Sequence, residues 1–196
     1  MHIPWITLFI TVCTLTLNAD LSAVTLEAYL FDSHAILNGE LWRLVSGHLI
    51  HSSPSHFALD MFAFALAAGY VERHSRTLLL GGILVSAVVL DLWLLSPFSD
   101  INRYCGLSGL LFAPVIIAVL HMRENMEGTL RNLPLVLCVI KLVLDLSKEQ
   151  TLFVATAWSA YPEAHLIGAL AGLAIYLIMG RQTTAPPKAL AKKVLT

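Results

Sequence analysis

Apolar residues along this chain gather into six blocks separated by shorter polar stretches. The blocks run over about 3–19, 55–72, 77–96, 108–122, 133–147 and 164–180. A bilayer's hydrocarbon core is about 30 Å thick, so a helix needs roughly 20 mainly apolar residues to cross it. Each block therefore predicts a membrane-crossing helix, and the short ones are expected to have ragged ends and some tilt. The first block lacks the basic leader of a secretory signal, having only the α-amine and His2 ahead of it, and reads as a retained span.

Residues 20–53 depart from the pattern. They contain LEAYLF and ELWRLVSGHLIH, which are amphipathic and too charged to cross. A connection this long usually carries function or structure of its own. Short helices lying in the outer membrane interface are expected, with Trp42 as an interfacial ring and Arg43 as a snorkelling charge.

Composition supports this reading. Hydrophobic residues make up 57% of the 196 and charged residues 13%, against about 45–50% and about 25% in an average soluble domain. Mean hydropathy is +0.76. Such a balance rules out a disordered chain and argues against an ordinary soluble surface. The formal net charge of −1 argues against a nucleic-acid partner held by a basic face. Three cysteines, Cys13, Cys105 and Cys138, sit in apolar sequence and read as packing residues.

Lys and Arg set the expected orientation. With the N-terminus cytoplasmic, the inside holds Arg73, Arg76, Arg123, Arg131, Arg181, Lys188, Lys192 and Lys193. The outside holds Arg43, Arg103 and Lys148. The expectation is an all-α polytopic protein: a single six-helix transmembrane domain over 1–181 and a cytoplasmic tail over 182–196, with both termini inside. A bacterial inner membrane is the expected location, with the lipid bilayer itself as a partner.

Ionisable groups at membrane depth are costly and mark function by default. Here they are His56, Asp60, Asp91, Lys141, Asp145 and His165. Ser108 lies in Tyr104-Cys105-Gly106-Leu107-Ser108-Gly109, where a loop turns into the fourth span. A helix N-terminus offers free N–H donors and a positive dipole end, so a serine there has an attackable oxygen beside a ready oxyanion site. Serine is equally a favoured N-cap, and the hexapeptide leaves both readings open. His165 starts the sixth span, adjacent to a face of small residues at Ala164, Gly168 and Gly172 that permits close helix packing. It reads either as a packing histidine or as a general base. Spans two, four and six run from outside to inside, so His56, Ser108 and His165 share one depth near the outer face. A serine and a histidine at matched depth are the minimum for a nucleophile and its base. No third carboxylate stands near His165 in sequence except Glu163, which is expected to be exposed, so a dyad is the economical reading. Asp60, four after His56 on the same face, either donates as a neutral acid or orients His56.

These residues resemble the rhomboid intramembrane serine proteases, over roughly 40–180. Trp42-Arg43 looks like the family's first-loop WR pair. His51, His56 and Asp60 follow at spacings similar to a loop histidine, a span-two histidine and an asparagine. Gly106-Leu107-Ser108-Gly109 resembles the GxSG motif, and Ala164-His165-x-x-Gly168-x-x-x-Gly172 resembles the base-bearing sixth helix. The resemblance implies Ser108 as nucleophile and His165 as base. It implies an oxyanion hole from the Ser108 N–H and the His56 side chain, with Gly106, Leu107 and Asp60 lining the site. Phe112 falls where the family often packs an aromatic on the base. Asp60 is a departure, because many rhomboids have asparagine there.

The short chain is similar to the rhombosortase subgroup, to which Lys141-Leu142 and Glu149-Gln150 also bear a weak likeness. That likeness implies surface proteins with a C-terminal Gly-Gly sorting segment and hydrophobic anchor as substrates. No cofactor or metal is implied. Three alternatives stay open: a transporter relaying through Asp91, Lys141 and Asp145; a metal or haem site at His48, His51 and His56; and a catalytically inactive rhomboid-like protein that binds membrane clients. Span five, short and carrying Lys141 and Asp145, is the expected mobile gate, although the two residues read equally as an internal ion pair.

Overall fold

The computed structural model describes residues 3–20, 22–148 and 161–180. The tail 182–196, Arg181, His2 and the Glu149-Gln150 pair lie outside these residues. Six long helices occupy the six apolar blocks. In chain order the helices are α1 (Trp5–Leu17), α2 (Ala23–Tyr29), α3 (Ser33–Leu37), α4 (Arg43–Ser46), α5 (Pro54–His74), α6 (Arg76–Leu94), α7 (Ser108–Asn125), α8 (Leu133–Lys148) and α9 (Pro162–Ile175). A 3-10 turn at Thr129–Asn132 precedes α8, and a π turn at Tyr176–Gly180 extends α9. Two of the described helices, Arg76–Leu94 and Pro162–Gly180, are long and apolar enough to cross a membrane by length and composition alone. The 13 residues of α1 span only about 20 Å, and α5 carries Asp60, Glu72 and Arg73 within its 21.

The starts of α5 and α6 follow from local chemistry. Ser53 caps α5 by accepting from His56 N at 3.3 Å, and Pro54 occupies the first turn, where a missing N–H costs nothing. Ser75 caps α6 by accepting from Leu78 N at 3.2 Å. Helix α7 is the centre of the bundle, packing on α5, α6, α8 and α9. Gly109 to Pro114 are all buried, as expected of a helix that is apolar on every side.

Helices α7 and α9 meet backbone to backbone. A Cβ on Gly168 would lie 1.9 Å from the Gly109 carbonyl oxygen, and one on Gly172 would lie 2.5 Å from that of Ala113. The small-residue face read from the sequence is the surface on which the two backbones meet.

Two buried polar groups hold the periphery. Glu72, near the end of α5, accepts from Ile6 N at 2.9 Å and from Thr7 N and Oγ1 at 2.8 Å each. It satisfies the free N–H groups at the start of α1, next to Arg76. Arg43 does not snorkel to an interface as expected. It is buried, and its guanidinium donates to Glu27 O at 2.9 Å, Leu30 O at 2.8 Å and Glu40 Oε2 at 2.7 Å. A guanidinium presents several donors in a fixed plane, so it can tie three chain segments at once. Trp42 is exposed, as expected. The connection 20–53 does form short helices, and it also pairs with the loop before α7. Strand β1 (Phe31–Asp32) runs antiparallel to β2 (Arg103–Tyr104), with Phe31 opposite Tyr104. The all-α expectation omits this ladder because two residues are too few to carry a period-2 pattern.

Replacing Gly168 with Ala is expected to lower the unfolding temperature in detergent by several degrees, because a methyl group pressed into a fixed backbone costs about 1–3 kcal/mol or more. Gly69→Ala in α5, where an added Cβ meets nothing within 4 Å, is expected to be neutral or stabilising by about 0.5–1 kcal/mol. Thermal unfolding of the two variants side by side checks the contrast.

Candidate active site

The turn into α7 is built before any side chain acts. Gly106 has φ +118°, and a Cβ there would also lie 2.6 Å from His56 Cε1, so glycine is required by conformation and by space. Gly106 N donates to Gly47 O at 3.0 Å, which ties the turn to the first loop. The buried hydroxyl of Tyr104 donates to Gly106 O at 3.0 Å and accepts from Gly109 N at 3.3 Å. Burial pushes this phenol far above its ordinary range, so it stays protonated and keeps both bonds. Leu107 is buried at the N-cap, and Ser108 opens the helix among backbone N–H groups that have no intrahelical acceptor.

Against this first turn stands His165, buried one turn into α9. Its ring stacks on Phe112 with centroids 4.6 Å apart and planes 23° from parallel. Phe112 is one helical turn beyond Ser108 on the same face. His165 Nδ1 lies 2.9 Å from Asp145 Oδ2, which leaves Nε2 as the nitrogen turned away from that carboxylate. Asp145 is fully buried and sits 2.5 Å from Lys141 Nζ, which in turn lies 5.4 Å over the Phe112 ring. The expectation is a dyad, with no carboxylate near His165 beyond Glu163. The structure supplies one, from α8. The i,i+4 spacing of Lys141 and Asp145 was visible, but nothing in the sequence says that their face meets α9.

The other wall comes from α5 and the segment before it. Asp60 Oδ2 lies 3.1 Å from His51 Nε2 and 3.4 Å from His56 Nε2. Leu107 N–H also points at His51 Nε2, at 3.4 Å, so that nitrogen stands between a carboxylate oxygen and a backbone donor. The His51–Asp60 contact is of normal hydrogen-bond length, whereas the His56 contact is longer than a normal N–H···O bond. His56 Nε2 would be 2.9 Å from a Cβ on Gly106, so this edge of the ring faces the Gly-Leu-Ser turn. Asp60 thus stands against both histidine rings, beside the turn that holds Gly106. His51 is fixed at its backbone, where its N–H donates to Asn18 Oδ1 at 2.9 Å, and its ring meets His56 edge-on at 4.9 Å.

His51, His56 and Asp60 bring ligand atoms within 4.8 Å of one another, and among the described residues they are the group able to hold a cation. The alternative His48–His51–His56 ligand set is not assembled: His48 Nε2 pairs with Asp91 Oδ1 at 3.0 Å, and its ring packs edge-on against Tyr104. Asp91 thus lies against His48, and the Lys141–Asp145 pair against His165.

Together these elements define an apolar helical bundle with a serine at a helix start and a buried histidine stacked on the next turn of the same helix. A family model for the rhomboid domain matches residues 38–182, about three quarters of the chain. The chain belongs to the rhomboid family, whose members are generally intramembrane serine proteases acting on transmembrane substrates within the bilayer. It is an integral membrane protein. The search of curated proteins gives no match.

Cys105 lies three residues before Ser108, and burial pushes its thiol up to about 11. It remains a thiol until the pH approaches that value and is a poor nucleophile at neutral pH. Cys105→Ser and iodoacetamide treatment at neutral pH are each expected to leave labelling by a serine-directed probe within about twofold of wild type, read by in-gel fluorescence.

Proposed function

We propose that this protein is an intramembrane serine endopeptidase in which Ser108 is the nucleophile and His165 the general base. The observation that carries the reading is the α7–α9 contact at Gly109 and Gly168, together with the Phe112–His165 stack. These set the base-bearing turn of α9 against the helix start that holds Ser108. Ser108 Oγ attacks the scissile carbonyl carbon as its proton passes to His165 Nε2. The carbonyl oxygen becomes an oxyanion that accepts from the Ser108 N–H and from His56 Nε2–H. The tetrahedral carbon then collapses, the C–N bond breaks, and the leaving amine takes the proton from His165. Water activated by the same nitrogen attacks the Ser108 ester, frees the serine hydroxyl and releases the new carboxyl end; an incoming amine would instead take the acyl group as a new amide.

Hydrolysis needs water, which lipid does not offer. In this reading the six long helices span the membrane as a single domain over 1–181 with both termini inside, in a bacterial inner membrane. The site then opens at the outer face, where loops and short helices line a polar cavity. Substrates are membrane proteins held by a C-terminal hydrophobic anchor. A Gly-Gly segment beside the anchor, as in rhombosortase substrates, suits the site, because glycine is a poor helix former and unwinding there to expose the peptide bond costs little.

Purified wild type is expected to label with a fluorescent fluorophosphonate, and Ser108→Ala and His165→Ala are expected to lose labelling by about 10²–10⁴-fold. Folded wild type that labels with neither a fluorophosphonate nor an isocoumarin would overturn the protease reading. For specificity, a reporter with a C-terminal Gly-Gly, apolar helix and basic end is expected to be cut at least about tenfold faster than its Leu-Leu counterpart, each Gly-to-Leu change adding about 0.8–1 kcal/mol of helix preference. Equal rates on immunoblots would remove the sorting-segment assignment.

A further inference from the structure

We propose that Asp145 is a positioning residue for His165, so that the site works as a serine–histidine–aspartate relay and not as a dyad. The proposal rests on the protease reading above. A fully buried carboxylate is costly unless each lone pair it presents finds a donor. Asp145 Oδ2 has two: His165 Nδ1 at 2.9 Å and Lys141 Nζ at 2.5 Å. Lys141 Nζ donates to Asp145 Oδ2, and a carboxylate paired with an ammonium can only accept from its next partner. His165 must therefore carry its proton on Nδ1 and its lone pair on Nε2, the tautomer that a base facing Ser108 requires. When Nε2 takes the serine proton, the imidazolium forms 2.9 Å from a carboxylate whose other partner is already in place. No rearrangement is needed at the moment of reaction.

The groups around His165 divide their work. Phe112 fixes the ring plane by stacking. Asp145 fixes rotation within that plane and the tautomer. Lys141 holds Asp145 and covers the far face of the cluster above Phe112. Asp145 also depends on the seating of α8. Over Leu133–Ser147 only Leu142 and Asp145 are buried, and the apolar side chains from Val136 to Ile140 face largely outward. The carboxylate reaches His165 only while this lightly packed helix lies against α9.

The test has two parts. In wild type with ¹⁵N-labelled histidine, the His165 ring signals, identified by their absence in His165→Ala, are expected to report the Nδ1–H tautomer. An Nε2–H tautomer would overturn the proposal. In kinetics, Asp145→Asn is expected to slow fluorophosphonate labelling by about 10²–10⁴-fold and to lower kcat on an anchored reporter with KM held within about twofold. Labelling of folded Asp145→Asn at the wild-type rate would overturn it. Should that variant fail to fold, Lys141→Met/Asp145→Asn removes both charges of the pair and leaves none unpaired, and the same loss is expected from it. Wild type that does not label at all overturns the protease reading instead, and the tautomer signal then decides the Asp145 contact independently.

Discussion

The structure depends on one close approach: α9 lying against α7 with no side chain between them at Gly168 and Gly172. Without a hydrophobic driving force in lipid, helices associate through van der Waals contact and polar bonds, and small residues bring backbones near enough for both. Here that contact does more than hold the bundle. It sets Ala164 and His165 beside Gly109 and Phe112, and so decides the distance between the base-bearing turn and the start of α7. Helices α5, α6, α8 and α9 pack around α7, whose first two turns are buried from Gly109 to Pro114.

The second constraint is electrostatic. A low-dielectric interior tolerates a charge only with partners, and each buried ionisable group described above has them. Glu72 is surrounded by donors from the start of α1. Asp60 is shared between two histidines, Asp91 pairs with His48, and Asp145 lies between Lys141 and His165. In the proposed mechanism two of these carboxylates act through the rings on either side of Ser108: Asp60 turns an N–H edge of His56 toward the place where an oxyanion would form, and Asp145 leaves a lone pair on His165. The same physical rule, that an ionised acid only accepts, gives the two histidines opposite roles.

The connection 20–53 and the loop before α7 form the third layer. Arg43 gathers Glu27, Leu30 and Glu40, Gly47 accepts from Gly106, and the β1–β2 ladder sets Tyr104 under the glycine turn. Tyr104 then holds Gly106 and Gly109 at once. The reactive turn is therefore supported from the outer loops, while the helices supply its depth. Such support lets irregular backbone stand at the edge of an apolar bundle with its polar groups satisfied.

By itself the sequence determined what is local. Blocks of apolar residues placed the six long helices to within a few residues, because hydrophobic burial acts on each segment separately. Serine and proline marked the start of α5, and Gly-Leu-Ser-Gly marked a turn that only glycine can make at Gly106. The small face of α9 was legible because residues four apart share a side. Tertiary structure decided what depends on which faces meet. Asp145 and His165 are twenty residues apart on different helices, and the contact exists only because α8 turns that face to α9. Arg43 became an internal tie because three carbonyl and carboxylate acceptors converge on it. Asp60 gained a second ring partner because His51, nine residues before it, folds back over the same oxygen. Side-chain partnership across elements is a property of packing geometry, and a one-dimensional pattern carries the periods of the helices but not the angles between them.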